Sequence, residues 1–141
     1  MSKLLGSIAI LFLISCTGNT GRNRTETTEK LANTTIEFTE YSHNFGTLHA
    51  GEIVLFTFEF TNTGNSDFRI GDVDCACGCV VTRYINEAVK PGEKGWVEVE
   101  FDSSGLAGRE YKSIDIYGNI DELKHLAIFA QVENELLDIK Y

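Results

Sequence analysis

The chain has 141 residues, four cysteines, one proline and a formal charge of −9. That length holds one domain with a full apolar core and excludes two. The acidic balance repels phosphate backbones and anionic headgroups, which excludes nucleic acid as an expected partner and disfavours electrostatic docking on lipid. Nine Phe, five Tyr and many Val and Ile supply β-formers in quantity, and 13 glycines supply turns.

At the N-terminus a single basic residue, Lys3, precedes an apolar run from Leu4 to Ile14, the dimensions of a signal-peptide hydrophobic region. The run is too short to span a hydrocarbon core of ~30 Å, which takes about 20 residues. Leu13-Ile14-Ser15-Cys16 resembles the lipobox of bacterial lipoproteins. The resemblance implies that residues 1–15 are a signal peptide cut after Ser15, that a diacylglycerol is attached to the Cys16 sulfur, and that the freed amine is acylated, with palmitate-type chains as the membrane anchor. Each buried methylene adds ~0.8 kcal/mol, so two or more chains hold essentially permanently. Thr17 stands where aspartate would resemble an inner-membrane retention signal, and no acidic run follows Cys16 of the kind that marks surface export. Together these place the expected location in the cell envelope, at the periplasmic face of the outer membrane.

From Thr17 to Thr34 the chain is polar and has no apolar period, so residues 16–34 are expected to form the lipidated cysteine and a flexible tether. At ~5–6 Å × √n such a segment reaches about 25 Å from the membrane.

Residues 35–141 read as the folded domain, a series of short strands. Ile36 and Phe38 begin it. Val54, Phe56, Phe58 and Phe60 recur at every second position with Thr57, Glu59 and Thr61 between them, the period of a half-buried strand. Asn62-Thr63-Gly64-Asn65 is a turn. Phe68, Ile70 and Val73 form the next strand and Val80–Ile85 another. In Lys90-Pro91-Gly92-Glu93, proline presets φ and glycine supplies the left-handed position. Val97, Val99 and Phe101 alternate with Trp96, Glu98 and Glu100; Ile114 and Ile116 alternate with Ser113, Asp115 and Tyr117. Residues Gly118 to Glu122 turn the chain, and Leu126, Ile128, Ala130 and Val132 close the series. About seven strands at intervals of roughly ten residues predict an all-β fold, an immunoglobulin-like antiparallel β-sandwich, with a small barrel as the competing architecture.

His43-Asn44-Phe45-Gly46-Thr47-Leu48, Gly51-Glu52, Phe58 to Asn65, Cys77-Gly78-Cys79, Pro91-Gly92-Glu93 and Gly108 follow one another in an order and spacing that resemble the bacterial domain-of-unknown-function family 1573, over roughly residues 36–132. The resemblance implies a lipoprotein of Bacteroidetes type with an immunoglobulin-like sandwich, related to modules of cilia- and centrosome-associated proteins that act as binding scaffolds. It implies no activity. Cys75, just before the family's Cys-Gly-Cys, departs from that pattern.

Cys75, Cys77 and Cys79 form the cluster with the most chemistry to offer. Cys16 is taken by lipid, which leaves an odd number of thiols in a compartment that permits oxidation. In an extended segment all three side chains share one face and would suit a soft ion such as Cu(I) or Zn(II), with His43, His49 or His125 completing the site if the fold brings one close. The usual zinc signature has wider cysteine spacing and four ligands, so no resident metal or other cofactor is expected. A disulfide is the second option, and Cys77–Cys79 through a bend at Gly78, Cys75–Cys79 and Cys75–Cys77 are all open. The third is that these are small residues filling a core corner at a strand start. Arg83 is the nearest cation in sequence, while Asp72 and Asp74 adjoin the thiols and raise their pKa, which argues against a catalytic thiolate.

No catalytic residue is expected elsewhere. Glu98 and Glu100 alternate along a solvated strand face, Ser103-Ser104-Gly105 lacks a His or Asp at informative spacing, and Asp121-Glu122 offers too few oxygens for calcium. Trp96, Tyr111 and Tyr117 are candidates for an exposed face that binds peptide or glycan, or else cover core edges. The expected function is therefore a membrane-anchored, non-catalytic binding or structural module, its partner an envelope protein or glycan, bound through loops or an open sheet edge. The alternative is a thiol-dependent redox or soft-metal lipoprotein using Cys75, Cys77 and Cys79.

Overall fold

The computed structural model describes residues 31–134. The expected signal peptide, the lipidation site Cys16 and most of the tether lie outside the described residues, as do residues 135–141. Eight strands follow in order: β1 (Ile36–Phe38), β2 (Ser42–His49), β3 (Ile53–Asn62), β4 (Ile70–Cys75), β5 (Val80–Tyr84), β6 (Lys94–Asp102), β7 (Gly108–Gly118) and β8 (Lys124–Glu133). They form two four-stranded sheets, in the orders β1-β3-β6-β5 and β2-β8-β7-β4, so the fold is a sandwich and not a barrel.

Alternation in the sequence decides which side chains fill the space between the sheets. On β3 and β6 the register sets Phe58 against Val97 and Phe60 against Gly95, and Phe58, Phe60, Val97, Val99 and Phe101 are buried. On β7 and β8, Ile114 pairs with Leu126, and Ile116, Ile128 and Val132 complete the facing layer. Each such side chain contributes about 1.5–3 kcal/mol on leaving water. The turn at Lys90–Glu93 closes with the Glu93 N–H donating to the Lys90 carbonyl at 2.9 Å, Gly92 taking φ +81°.

The strand beyond the expected seven is β2, and it runs parallel to β8 while its sheet is otherwise antiparallel. Its alternation was hidden by a bulge. Asn44 pairs with Phe129 and Thr47 with Gln131, three steps against two. The inward row passes from His43 and Phe45 to Leu48 and so changes parity midway. Gly46 takes φ +76° there, and its N–H donates to the Asn44 side-chain oxygen, the Asx-type turn that such a bulge calls for.

The sandwich also starts earlier than the expected boundary at residue 35. Thr34 is buried and bridges to Ile120, its N–H donating to the Asn119 carbonyl. Asn119 in turn donates from its side chain to the Ala32 and Asp67 carbonyls. The last residues assigned to the tether are therefore stitched to the end of the sandwich where β7 finishes.

Candidate functional site

The cysteine segment joins the edge of one sheet to the edge of the other. Cys75 ends β4, pairing with Ile114 of β7; the chain then turns, and Val80 begins β5 on the opposite sheet. The segment is bent rather than extended, so the three thiols do not form the single-faced row that an extended strand would make. Cys77 and Cys79 are joined by a disulfide with their Cα atoms 5.3 Å apart, and Cys75 is free. All three pack against the apolar core. The Cys75 sulfur lies 3.4 Å from the Val80 carbonyl, to which its thiol donates. Partial burial pushes the Cys75 thiol above its ordinary range, and the neighbouring Asp74 carboxylate adds to the shift. Arg83 does not oppose this, because it points to the outer face of its sheet and donates to Glu98 and Glu100 at 2.9 and 3.2 Å.

A thiol with a raised pKa holds little thiolate at neutral pH and reacts slowly. Iodoacetamide labelling of the native protein at pH 7 is therefore expected to modify Cys75 slowly, with Cys77 and Cys79 unlabelled until reduction, and the rate is expected to keep rising above pH 9. Peptide mass mapping over a pH series checks this; rapid Cys75 labelling at pH 7 would contradict it.

The histidines weighed as further ligands are scattered. His43 stacks on Phe56 with ring centroids 3.6 Å apart, His49 sits 3.9 Å from Glu133, and His125 meets Asp115 at 2.8 Å. Among the described residues no group of three or more His, Cys, Asp or Glu side chains is placed to hold a metal ion. Asp121 is engaged by the Asn33 side-chain amide. Ser103, read from the sequence as a loop residue, is a buried brace, its hydroxyl contacting the His49 and Glu52 carbonyls and accepting from the Gly51 N–H.

The three aromatic candidates do not share a face. Trp96 lies on the outer side of the β1-β3-β6-β5 sheet, while Tyr111 and Tyr117 lie on the outer side of the other, six residues apart along β7. Tyr111 instead meets a residue that the sequence reading did not single out. It pairs across the ladder with Phe129, ring centroids 5.1 Å apart, and the two are 59% and 40% exposed. One row further along, Arg109 pairs with Gln131; both side chains are exposed and neither side chain makes a hydrogen bond or ion pair among the described residues. Where the β2 bulge parts the ladder, a recess of about 370 Å³ opens beside them, lined in part by Asn44, Thr47, Arg109, Phe129 and Gln131. β4 pairs with β7 only over Ile114–Gly118. From Arg109 to Lys112, β7 therefore has β8 on one side and, among the described residues, no strand on the other. The signal that could have found this site was alternation in β8, which puts Phe129 outward among inward Ile128 and Ala130.

Chain entry at Thr34 is beside Asn119, just past the far end of β7. Eight residues of strand separate Asn119 from Tyr111, about 26 Å at the usual rise. The aromatic pair thus occupies the end of the sandwich away from Thr34.

The profile of a family described as "Protein of unknown function (DUF1573)" matches residues 36–132. A search of curated proteins finds no match. Among solved structures, a protein of unknown function from Porphyromonas gingivalis W83 is similar with a TM-score of 0.62 and 17% identity, over 77% of this chain and 51% of that one. This chain thus spans about half the length of that relative. The ASH/PapD-like domain 7 of human CEP192 is similar with a TM-score of 0.60 and 12% identity, over 92% of this chain and 99% of that one. The secreted serine protease VesC from Vibrio cholerae is similar with a TM-score of 0.50 and 14% identity, over 71% of this chain and 23% of that one. At these identities the likeness concerns the fold, which is immunoglobulin-like and PapD-like.

Proposed function

The chain belongs to the DUF1573 family, and on that premise we propose that it is a lipid-anchored cell-envelope module, non-catalytic, that binds a partner through the outer face of β7 and β8. One observation carries the reading: two large aromatic rings, Tyr111 and Phe129, stand exposed side by side while the domain's own core is already complete. Large apolar area held in water marks a surface that something else covers, and the side chains beside it, Arg109 and Gln131, have no hydrogen-bond or ion-pair partner among the described residues. The lipobox at Leu13–Cys16 supports the anchor, and the position of the face, remote from Thr34, supports presentation away from the membrane. Thiol redox or metal handling at Cys75, Cys77 and Cys79 has less support, because burial and the Asp74 carboxylate raise the pKa of the free thiol and Arg83 is engaged by Glu98 and Glu100.

Metabolic labelling with a palmitate analogue is expected to mark the chain in the envelope fraction, and Cys16→Ala is expected to abolish the label and release the protein; label retained on the variant would remove the anchor from the proposal. A photoreactive amino acid at Thr47, beside the aromatic pair, is expected to give a discrete cross-linked species in intact cells. Replacing Tyr111 and Phe129 together with Ala removes anchor contacts worth ~1 kcal/mol or more, so the yield should fall by about fivefold. Both side chains are exposed and their cross-strand contact is worth about 0.2–1 kcal/mol, so the thermal midpoint should fall by only a few degrees and the domain stay folded. Cross-linking indifferent to the double variant would rule this face out.

A further inference from the structure

The uncovered stretch of β7 and the aromatic pair lie on the same strand, and together they specify a kind of ligand. Among the described residues, Arg109 to Lys112 has no strand against it on the β4 side, and an edge of this kind is a template for another strand. Side chains of an added strand stand opposite those of the strand it joins and on the same face. Residues facing Tyr111 and Arg109 would therefore be two apart in the ligand and both on the outer side. Tyr111 and Phe129 offer an apolar platform. Arg109 offers a guanidinium with no acid paired to it among the described residues, in a chain whose 21 acidic residues outnumber 12 Lys and Arg; such a cation is complementary to a carboxylate.

We infer that the Arg109–Lys112 edge of β7 docks an extended peptide strand of a partner protein, which sets an apolar side chain against Tyr111 and, two residues on, a carboxylate against Arg109. The strand runs antiparallel to β7, because in that direction it continues the line of β4, which is itself antiparallel to β7. This rests on the binding-module reading above and adds the class of partner and its register. The Glu110–Lys112 ion pair, at 2.7 Å and largely shielded on the inner side of the same stretch, holds that part of β7 without competing for the ligand.

The test uses the full lipidated chain in nanodiscs and an end-blocked peptide, Thr-Val-Thr-Phe-Thr-Glu-Thr, followed by hydrogen–deuterium exchange. Saturable binding that slows exchange over residues 109–112 is the expected result. Arg109→Glu should weaken binding about fivefold, and the peptide with Lys in place of Glu should recover it on that variant. The same peptide N-methylated at alternate amides should not bind, since a strand needs its N–H groups to pair. Binding that protects the β2 or β5 edge instead, or that survives N-methylation, overturns the inference. So does absence of peptide binding while Thr47 still cross-links in cells to a glycan or a second copy, an outcome that leaves the binding-module reading standing. Absence of both binding and cross-link overturns the two together.

Discussion

Asn62→Ala is expected to lower the unfolding free energy by about 2–4 kcal/mol, through two polar groups left without partners at ~1–3 kcal/mol each. Asn62 closes β3, is fully buried and uses both ends of its amide. Its oxygen accepts from the Thr34 hydroxyl at 2.9 Å and the Gly64 N–H at 3.1 Å. Its nitrogen donates to the carbonyls of Ser66 and Val89, both at 2.8 Å. One side chain thereby ties Thr34 ahead of β1, the turn after β3 and the segment before β6. Alanine leaves the Thr34 hydroxyl and the Ser66 carbonyl without this partner, while the Gly64 N–H keeps the Thr35 carbonyl and the Val89 carbonyl keeps the Phe68 N–H. Asn62→Asp should be worse at neutral pH, since it keeps the acceptor but sets a buried carboxylate against two carbonyl oxygens. Urea denaturation gives the direct measure: the midpoint should fall with the slope unchanged. Against the ~5–15 kcal/mol of an ordinary domain, the variant would be marginal at 37 °C. A loss below about 1 kcal/mol would mean that water already reaches this corner.

Gly95→Ala is expected to destabilise by about 2–4 kcal/mol, against the small gain that alanine usually brings in place of a strand glycine. Gly95 on β6 faces Phe60 on β3. A methyl group there would overlap the ring tip of Phe60 and lie 2.7 and 2.8 Å from its two Cε atoms. The ring has nowhere to move. It is fully buried, with Phe38 on one side at 5.3 Å between centroids and Phe68 on the other at 5.4 Å. Phe60→Leu alone should cost ~1 kcal/mol or more, yet combined with Gly95→Ala it should recover part of the loss. A double-mutant cycle on thermal or urea unfolding reads that coupling directly. Additive losses would show that the damage arises elsewhere. Gly118 poses the same problem against Phe68 and the Arg69 carbonyl, so this aromatic cluster is built around two glycines.

Where apolar residues alternate without interruption the strands were legible, as on β3, β6 and β8, and so was the turn at Lys90–Glu93. β2 was not, because one extra residue at Phe45–Gly46 shifts its inward row and breaks the period that a reader relies on. The aromatic candidates show the same limit. Alternation correctly sends Trp96, Tyr111 and Tyr117 outward, but outward from which sheet depends on which strands pair. Phe129 became Tyr111's neighbour through an antiparallel register that places residues 18 positions apart side by side.

The amino-acid sequence by itself determined the fold class, the inward rows and the acidic surface, since each follows from local period or composition. Only the tertiary structure decided the parallel seat of β2, the interior role of Asn62, the pairing of Cys77 with Cys79 while Cys75 stays free, and the union of Tyr111, Phe129, Arg109 and Gln131 into one face. The division has one physical cause. Local period is a property of neighbours along the chain, whereas register, edges and unsatisfied groups belong to residues that meet only after the two sheets close on each other.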